Sequence, residues 1–287
     1  MKTLHLPLSV TLKLCLFLLV AFGVLPALNA ADKKPQTDGD PYKFKIQGDY
    51  WRDTPSITIK GNDTVADRPI DFDKEFGFDS LGTYDIFADW HITHKQHLFF
   101  AATQYSQSKS RAITEDITFR GVTYQAGAVV NSEIKNQVWA PGYQYDIMRN
   151  ERGHLGIPIQ INMMDISTKL NGQGIIIDPN TGNSVSGNYA TKGSVFAFIP
   201  VAGPDVKYLF IKNSDKYYVE GFVKGMYFFG YGNFVSTRGD FGVNLWKGLE
   251  ANVGYQMGSR LAIHGTSDRL DIRFTQRGLV AGLGYKW

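Results

Sequence analysis

A single cysteine, Cys15, in 287 residues leaves the chain no internal disulfide and no cysteine-ligated metal to hold it together. Long apolar runs are missing too. The longest, Leu14 to Leu25, is twelve residues, well short of the about twenty that a spanning helix needs. Helical membrane topology is thereby excluded. Charge of one sign is also lacking: thirty Lys and Arg stand against 27 Asp and Glu, so nothing favours a nucleic acid partner. No stretch is rich enough in Pro, Ser or charge to act as a linker between two domains.

What is present begins at the ends. Lys2 and Lys13, the apolar stretch to Leu25 and the small-residue site Ala27-Leu28-Asn29-Ala30 read as a cleaved export signal over residues 1–30. Leu12-Lys13-Leu14 before Cys15 lacks the residues of a lipid-attachment site. Residues 31–41 read as a polar lead-in. Without Lys2 and Lys13 the chain keeps 28 basic against 27 acidic residues, a net charge near +1. At the other end, Leu279, Ala281, Leu283, Tyr285 and Trp287 alternate with small or charged residues. Strict alternation of this kind offers one face to lipid and the other to a lumen, and about nine tilted strand residues cross a bilayer.

Similar alternating segments recur between turn residues, and about ten strands are expected over residues 42–287, with eight or twelve also consistent. The expected strands are Tyr42–Trp51, Thr83–Thr93, Leu98–Ser108, Glu133–Ile147, Leu155–Lys169, Ser194–Phe210, a seventh through Val219–Tyr227, an eighth through Arg238–Leu245, a ninth through Leu249–Arg260, and the terminal one. In the first, Tyr42, Phe44, Ile46, Gly48 and Tyr50 are placed outside. The faces of the third stay ambiguous, and Pro200 and Pro204 count against the sixth. Short turns fall near His94, Asn150, Ser214 and Lys247, and long connections at about 53–81, 109–132 and 170–193. Short periplasmic turns and long external loops are the expected asymmetry. Trp90, Tyr145, Trp246 and Trp287 near the short turns form an inner aromatic girdle, with Tyr50 and Trp139 toward the outer one.

The fold class read from this pattern is all-β, a transmembrane antiparallel up-and-down barrel. The chain resembles a family of small Gram-negative outer-membrane barrels of the OmpW and OmpA-barrel kind, whose members mostly lack an assigned activity. The resemblance is carried by Phe76-Gly77-Phe78-Asp79 entering a strand, Met148-Arg149-Asn150-Glu151-Arg152 at a turn, and the closing strand, whose Leu279, Ala281, Leu283, Tyr285 and Trp287 resemble an assembly signal. It implies an outer-membrane location, with outer-membrane lipid, lipopolysaccharide and the barrel assembly machinery as partners, and it brings no catalytic residue.

Charged residues of inward parity are balanced, seven basic against eight acidic. Asp85, Asp89, Asp205, Lys207, Glu220, Lys224, Arg238, Asp240, Glu250 and Arg260 are taken as a lumen charge network, with Glu220 and Lys224 beside Asp205 and Lys207 as its best cluster. A ten-stranded barrel is narrow. The expectation is a largely occluded, charge-paired lumen and a structural or surface-interaction role; a narrow channel for a small solute is the alternative. Asp85, Asp89 and His91 are the nearest match to the rim of a barrel protease, but the register puts His91 at the periplasmic end. His264, Ser267 and Asp268 share a loop in which nothing orients them as a hydrolase. No enzyme is expected, and no cofactor or metal. The acidic stretch with Asp53, Asp63, Asp67, Asp71, Asp73, Glu75 and Asp79 reads as a soluble loop, Asp178-Pro179-Asn180-Thr181-Gly182 as a turn, and Arg273 and Arg277 as outward groups at the level of lipopolysaccharide phosphates.

Overall fold

The structure is a computed structural model that describes residues 42–61, 68–177, 181–228, 232–264 and 270–287. The expected export signal, the polar lead-in, Ser267 and Asp268 lie outside the described residues, as do the side chains of Arg260 and His264. The wall is built from β1 (Phe44–Gly61), β3 (Leu81–Thr93), β4 (Gln96–Ala112), β7 (Val129–Asn150), β8 (Gly153–Ile177), β9 (Ser184–Ala202), β10 (Asp205–Ile211), β11 (Ser214–Phe228), β12 (Gly232–Trp246), β13 (Leu249–His264) and β14 (Leu270–Lys286). Every neighbouring pair is antiparallel, and β1 closes on β14 from Lys45↔Lys286 to Gly61↔Leu270. β9 and β10 together make one stave, because both pair with β8. The ring therefore has ten staves. The interruption falls at Gly203-Pro204, where the Val223 N–H donates to the Pro204 carbonyl at 3.0 Å. The proline that weakened the sixth expected strand thus breaks that stave and keeps the ring.

Inside and outside follow the strand period. On β8, Leu155, Ile157, Ile159, Ile161 and Met163 face out while His154, Asn162 and Met164 are buried. On β4, His97, Phe99 and Tyr105 turn inward, which settles the third strand. Gly142 is needed where Phe99 lies flat on the wall: a Cβ there would stand 2.2 Å from Phe99 Cζ. One outward assignment fails. Tyr42 turns inward, and its hydroxyl donates to Asp89 Oδ2 at 2.6 Å, because it precedes β1 and escapes the strand's alternation.

The strands run much further than alternation of apolar residues suggested. β1 continues to Gly61, β4 to Ala112, and β8 pairs with β9 as far as Ile177↔Ser184. Of the long connections expected at 53–81, 109–132 and 170–193, the last is mostly wall, and the first two are shortened by wall at their ends. The reason is an inversion of polarity along each strand. Outward residues are apolar up to Tyr50, Ala102, Trp139, Met163, Phe196 and Leu279, then become Arg52, Gln104, Gln137, Asp165, Ser194 and Arg277. Inward residues do the reverse. Beyond the same level they become Ile57, Ile59, Val130, Ile134, Ile166, Leu170, Ile272 and Phe274, all in one apolar core. Trp139 lies eleven residues from the end of β7, so at a rise of ~3.3 Å and a tilt near 40° the outer apolar belt is roughly 28 Å tall. That height matches a membrane barrel's lipid-facing band of roughly 25 Å.

Two small elements fold in and complete the core. After β2 (Ile70–Asp71), which pairs with β1 at Ile59↔Ile70, the single-turn helix α1 (Phe72–Phe76) buries Phe72 and Phe76. Gly77 ends it in the left-handed conformation, φ +74°, with its N–H on the Asp73 carbonyl. Phe76-Gly77-Phe78-Asp79 is therefore a helix end that leads into β3, which starts at Leu81. β5 (Ile117–Phe119) and β6 (Val122–Tyr124) form a hairpin whose turn residues, Arg120 and Gly121, both take positive φ. The Tyr124 hydroxyl ties this hairpin to the wall, 2.9 Å from Thr191 Oγ1 and 3.2 Å from the Leu170 carbonyl. Arg68 adds a clasp, pairing with Glu115 at 3.1 Å and donating to the Asp116 carbonyl at 2.6 Å. Partial burial and the adjacent Glu115 carboxylate raise the pKa of Glu75 on α1.

The inversion makes a simple expectation. Leu283→Arg, in the middle of the apolar belt, should cost about 2–4 kcal/mol, whereas Ser56→Arg, outward but above the belt, should stay within about 0.5 kcal/mol. Urea unfolding of the protein in lipid vesicles measures both, and equal effects would deny that the belt meets hydrocarbon.

Candidate functional site

The lumen between the short-turn end and the apolar core is polar, and it holds a cavity of 240 Å³. The described residues of the expected charge network all face it or its floor, but as separate groups. Arg238 spans Asp49, at 2.8 Å, and Asp240, at 2.7 Å, and the Asn252 amide donates to Asp240 at 3.2 Å. Glu250 sits between Lys45, at 2.5 Å, and Lys286, at 3.5 Å, and Lys286 also pairs with Asp215. Asp85 lines the same cavity and leaves Oδ1 without a partner. Glu220, Lys224, Asp205 and Lys207 form the expected cluster only in part. Lys207 is 3.8 Å from Glu220, but Lys224 donates to Gln160 at 3.2 Å and rests over the Phe222 ring, and Asp205 is 3.2 Å from His154. Parity located these side chains on the inner face, but lengthwise stagger between neighbouring staves decided their partners.

Asp53, expected in an acidic loop, is another inward group. It is 1% exposed, held by the Gln276 amide and Thr83 deep in the barrel. The phase of β1 continues unbroken past Trp51, so every second residue still points in.

The densest chemistry is at the short-turn end, in a group that sequence reasoning only partly found. His91 and His97 stand opposite each other in the β3–β4 hairpin, their rings 3.9 Å apart. Asp89 Oδ2 is 3.1 Å from His97 Nδ1 and 3.4 Å from His91 Nε2. On its far side, His97 Nε2 is 3.0 Å from Asp146 Oδ2. Asp146 is itself fixed, taking hydrogen bonds from Arg149 Nη1 at 2.8 Å and Gln144 Nε2 at 3.0 Å. All six of these side chains are buried. Asp89, His91 and His97 are the set of donors among the described residues whose ligand atoms lie within 4.8 Å of one another. Symmetry about the two-residue turn at His94-Lys95 would pair His91 with Leu98; a register shift between His91 and Thr93 sets it opposite His97 and brings the two rings to one face. As the register required, Asp89 and His91 lie at the short-turn end, and Asp85 is not part of their cluster.

On the outer face, Trp90, Trp246 and Trp287 are exposed near the short turns, Tyr145 is half-buried beside them, and Trp139 marks the belt's upper edge. Leu279, Ala281, Leu283, Tyr285 and Trp287 form one exposed row on β14 and the residue after it.

No protein-family model matches the chain, and no curated protein matches it. Among solved structures the chain is similar to the outer membrane protease OmpT from Escherichia coli, at 10% identity over 87% of this chain and 100% of that one, with a TM-score of 0.43. It is similar to the translocator domain of the autotransporter NalP from Neisseria meningitidis, at 9% identity over 97% and 98%, with a TM-score of 0.38. It is also similar to the P. putida toluene transporter TodX, at 9% identity over 86% and 91%, with a TM-score of 0.34. These are likenesses in the course of the chain and carry no role over to it.

Proposed function

We propose that this chain is a closed outer-membrane barrel that conducts nothing through its lumen and acts through the wall it raises above the membrane. The observation behind this reading is the apolar core inside the long-loop half. Phe72, Phe78, Phe119, Ile57 and Ile59 there are fully buried, so the mouth is filled by packed hydrocarbon, where an aqueous path needs polar lining. Below it, the described lumen charges stand mostly in separate ion pairs, with no ring of one sign among the described residues. The short-turn end faces the periplasm in this reading and the long-loop end faces out. Arg52, Arg273 and Arg277 then stand outward just above the belt, all exposed, where lipopolysaccharide phosphates would meet them. The core-bearing strands beyond offer a rigid, water-exposed surface for partners.

Single-channel recording of the purified protein in a planar bilayer tests the closed reading. No current steps are expected; steady steps would replace it with a narrow channel for a small solute.

A further inference from the structure

His97 presents a problem in proton placement whose solution has chemical content. Its Nε2 faces Asp146 Oδ2 at 3.0 Å, and its Nδ1 faces Asp89 Oδ2 at 3.1 Å. The Arg149 guanidinium can only donate, and it lies on Asp146 and 3.1 Å from the same Nε2, so in the metal-free neutral ring Nε2 accepts and Nδ1–H donates to Asp89. That ring proton occupies the place a cation would take between Nδ1 and Asp89 Oδ2, and a cation bound there would displace it. Two observations point to a cation there. Asp89 Oδ1 is buried and has no hydrogen-bond partner, and His91 Nε2 is buried without one, 3.4 Å from Asp89 Oδ2. Donor atoms at bond lengths of about 2.0–2.1 Å around a tetrahedral ion stand roughly 3.4 Å apart, close to the 3.1 and 3.4 Å separations here.

We propose that Asp89, His91 and His97 form a binding site for a zinc-class divalent cation, with Asp146 as the positioning residue that turns His97 Nδ1 toward it. Two imidazoles and one carboxylate suit zinc and its late first-row neighbours over magnesium or calcium, which take all-oxygen shells. A carboxylate on the far nitrogen of a ligating histidine fixes the tautomer and raises its basicity, which is the part Asp146 plays here. Three protein ligands leave a fourth position. Asp89 and His97 border the 240 Å³ cavity, so that position opens onto space for water or a small anionic ligand. The ion would clamp the β3–β4 hairpin at the short-turn end.

The test uses the untagged full chain in detergent, stripped with chelator and titrated with cobalt(II) chloride, then zinc chloride. The expected result is one equivalent of cobalt with the visible absorption of a tetrahedral site, displaced by zinc. His91→Ala and Asp89→Asn should abolish it, Asp146→Asn should weaken it roughly 10–100-fold, and His94→Ala should leave it unchanged. Circular dichroism checks that each variant keeps its strands, and His91→Gln replaces any alanine variant that does not. Absence of stoichiometric binding by the folded wild type, or binding that survives both His91→Ala and Asp89→Asn, would overturn the proposal and leave His97 as a doubly protonated ring between two aspartates.

Discussion

Glu250→Ala is expected to destabilise the barrel by about 3–5 kcal/mol, the cost of stranding buried charge. Glu250 is fully buried on β13, with Lys45 of β1 and Lys286 of β14 against it. Removing the carboxylate takes from the Lys45 ammonium, 4% exposed, its partner at 2.5 Å, and from Lys286, 6% exposed, one carboxylate while Asp215 stays. The position aggravates the loss, because β14–β1 is the seam where the first and last staves meet. The converse experiment separates charge from packing: Lys45→Met, Glu250→Leu and Lys286→Met together should return to near wild-type stability or exceed it, since apolar isosteres often match a buried ionic group. Urea unfolding in micelles, followed by tryptophan fluorescence, measures both. A single substitution as harmless as the triple would mean that water reaches this trio.

Phe72→Ala should release the inward-folded segment at the outer mouth. Phe72 is wholly buried, with its ring centroid 5.0 Å from Phe76 and 5.8 Å from Phe78. Truncating such a side chain costs about 3–5 kcal/mol, and a five-residue helix has no stability of its own to offset that. Opening is then local. Lys74, exposed on the same turn, becomes a trypsin site whose cleavage rate rises on the order of a hundredfold if the loss is about 3 kcal/mol and opening is fast. Ser56→Ala, outward on β1, serves as the reference. An unchanged rate would show that β2, Arg68 and Gly77 hold the segment without the aromatic anchor.

These two sites also show what the amino-acid pattern could and could not say. Ten staves, their inward and outward faces, and Glu250 in the lumen follow from period two, because hydrocarbon on one side and polar filling on the other impose opposite tastes on alternate residues. The long-loop half was misread for the same reason. At Met163 and Met164 the apolar phase of β8 jumps from the outer to the inner face with no change in backbone. On β14 the jump lies between Phe274 and Leu279, and on β1 at Trp51. A phase jump looks like the end of one strand, so wall was taken for loop and Asp53 for a loop acid. α1 and the β5–β6 hairpin were not legible, since two to five residues carry too little periodicity. The histidine cluster was half legible: parity put Asp89 and His91 on the inner face, whereas His97 joins them through the register shift beside the β3–β4 turn, and Asp146, Arg149 and His154 through the stagger of β7 and β8, which no local pattern encodes.

One molecule here answers to two solvents. The half with its oily residues outside rests in a medium that offers no drive to bury them, and there the ladder bonds and interior ion pairs must hold it. The half with its oily residues inside is assembled by water, so its cohesion weakens on cooling and yields to agents that wet hydrocarbon. Temperature and lipid composition thus act as independent handles on opposite ends of the same ten staves.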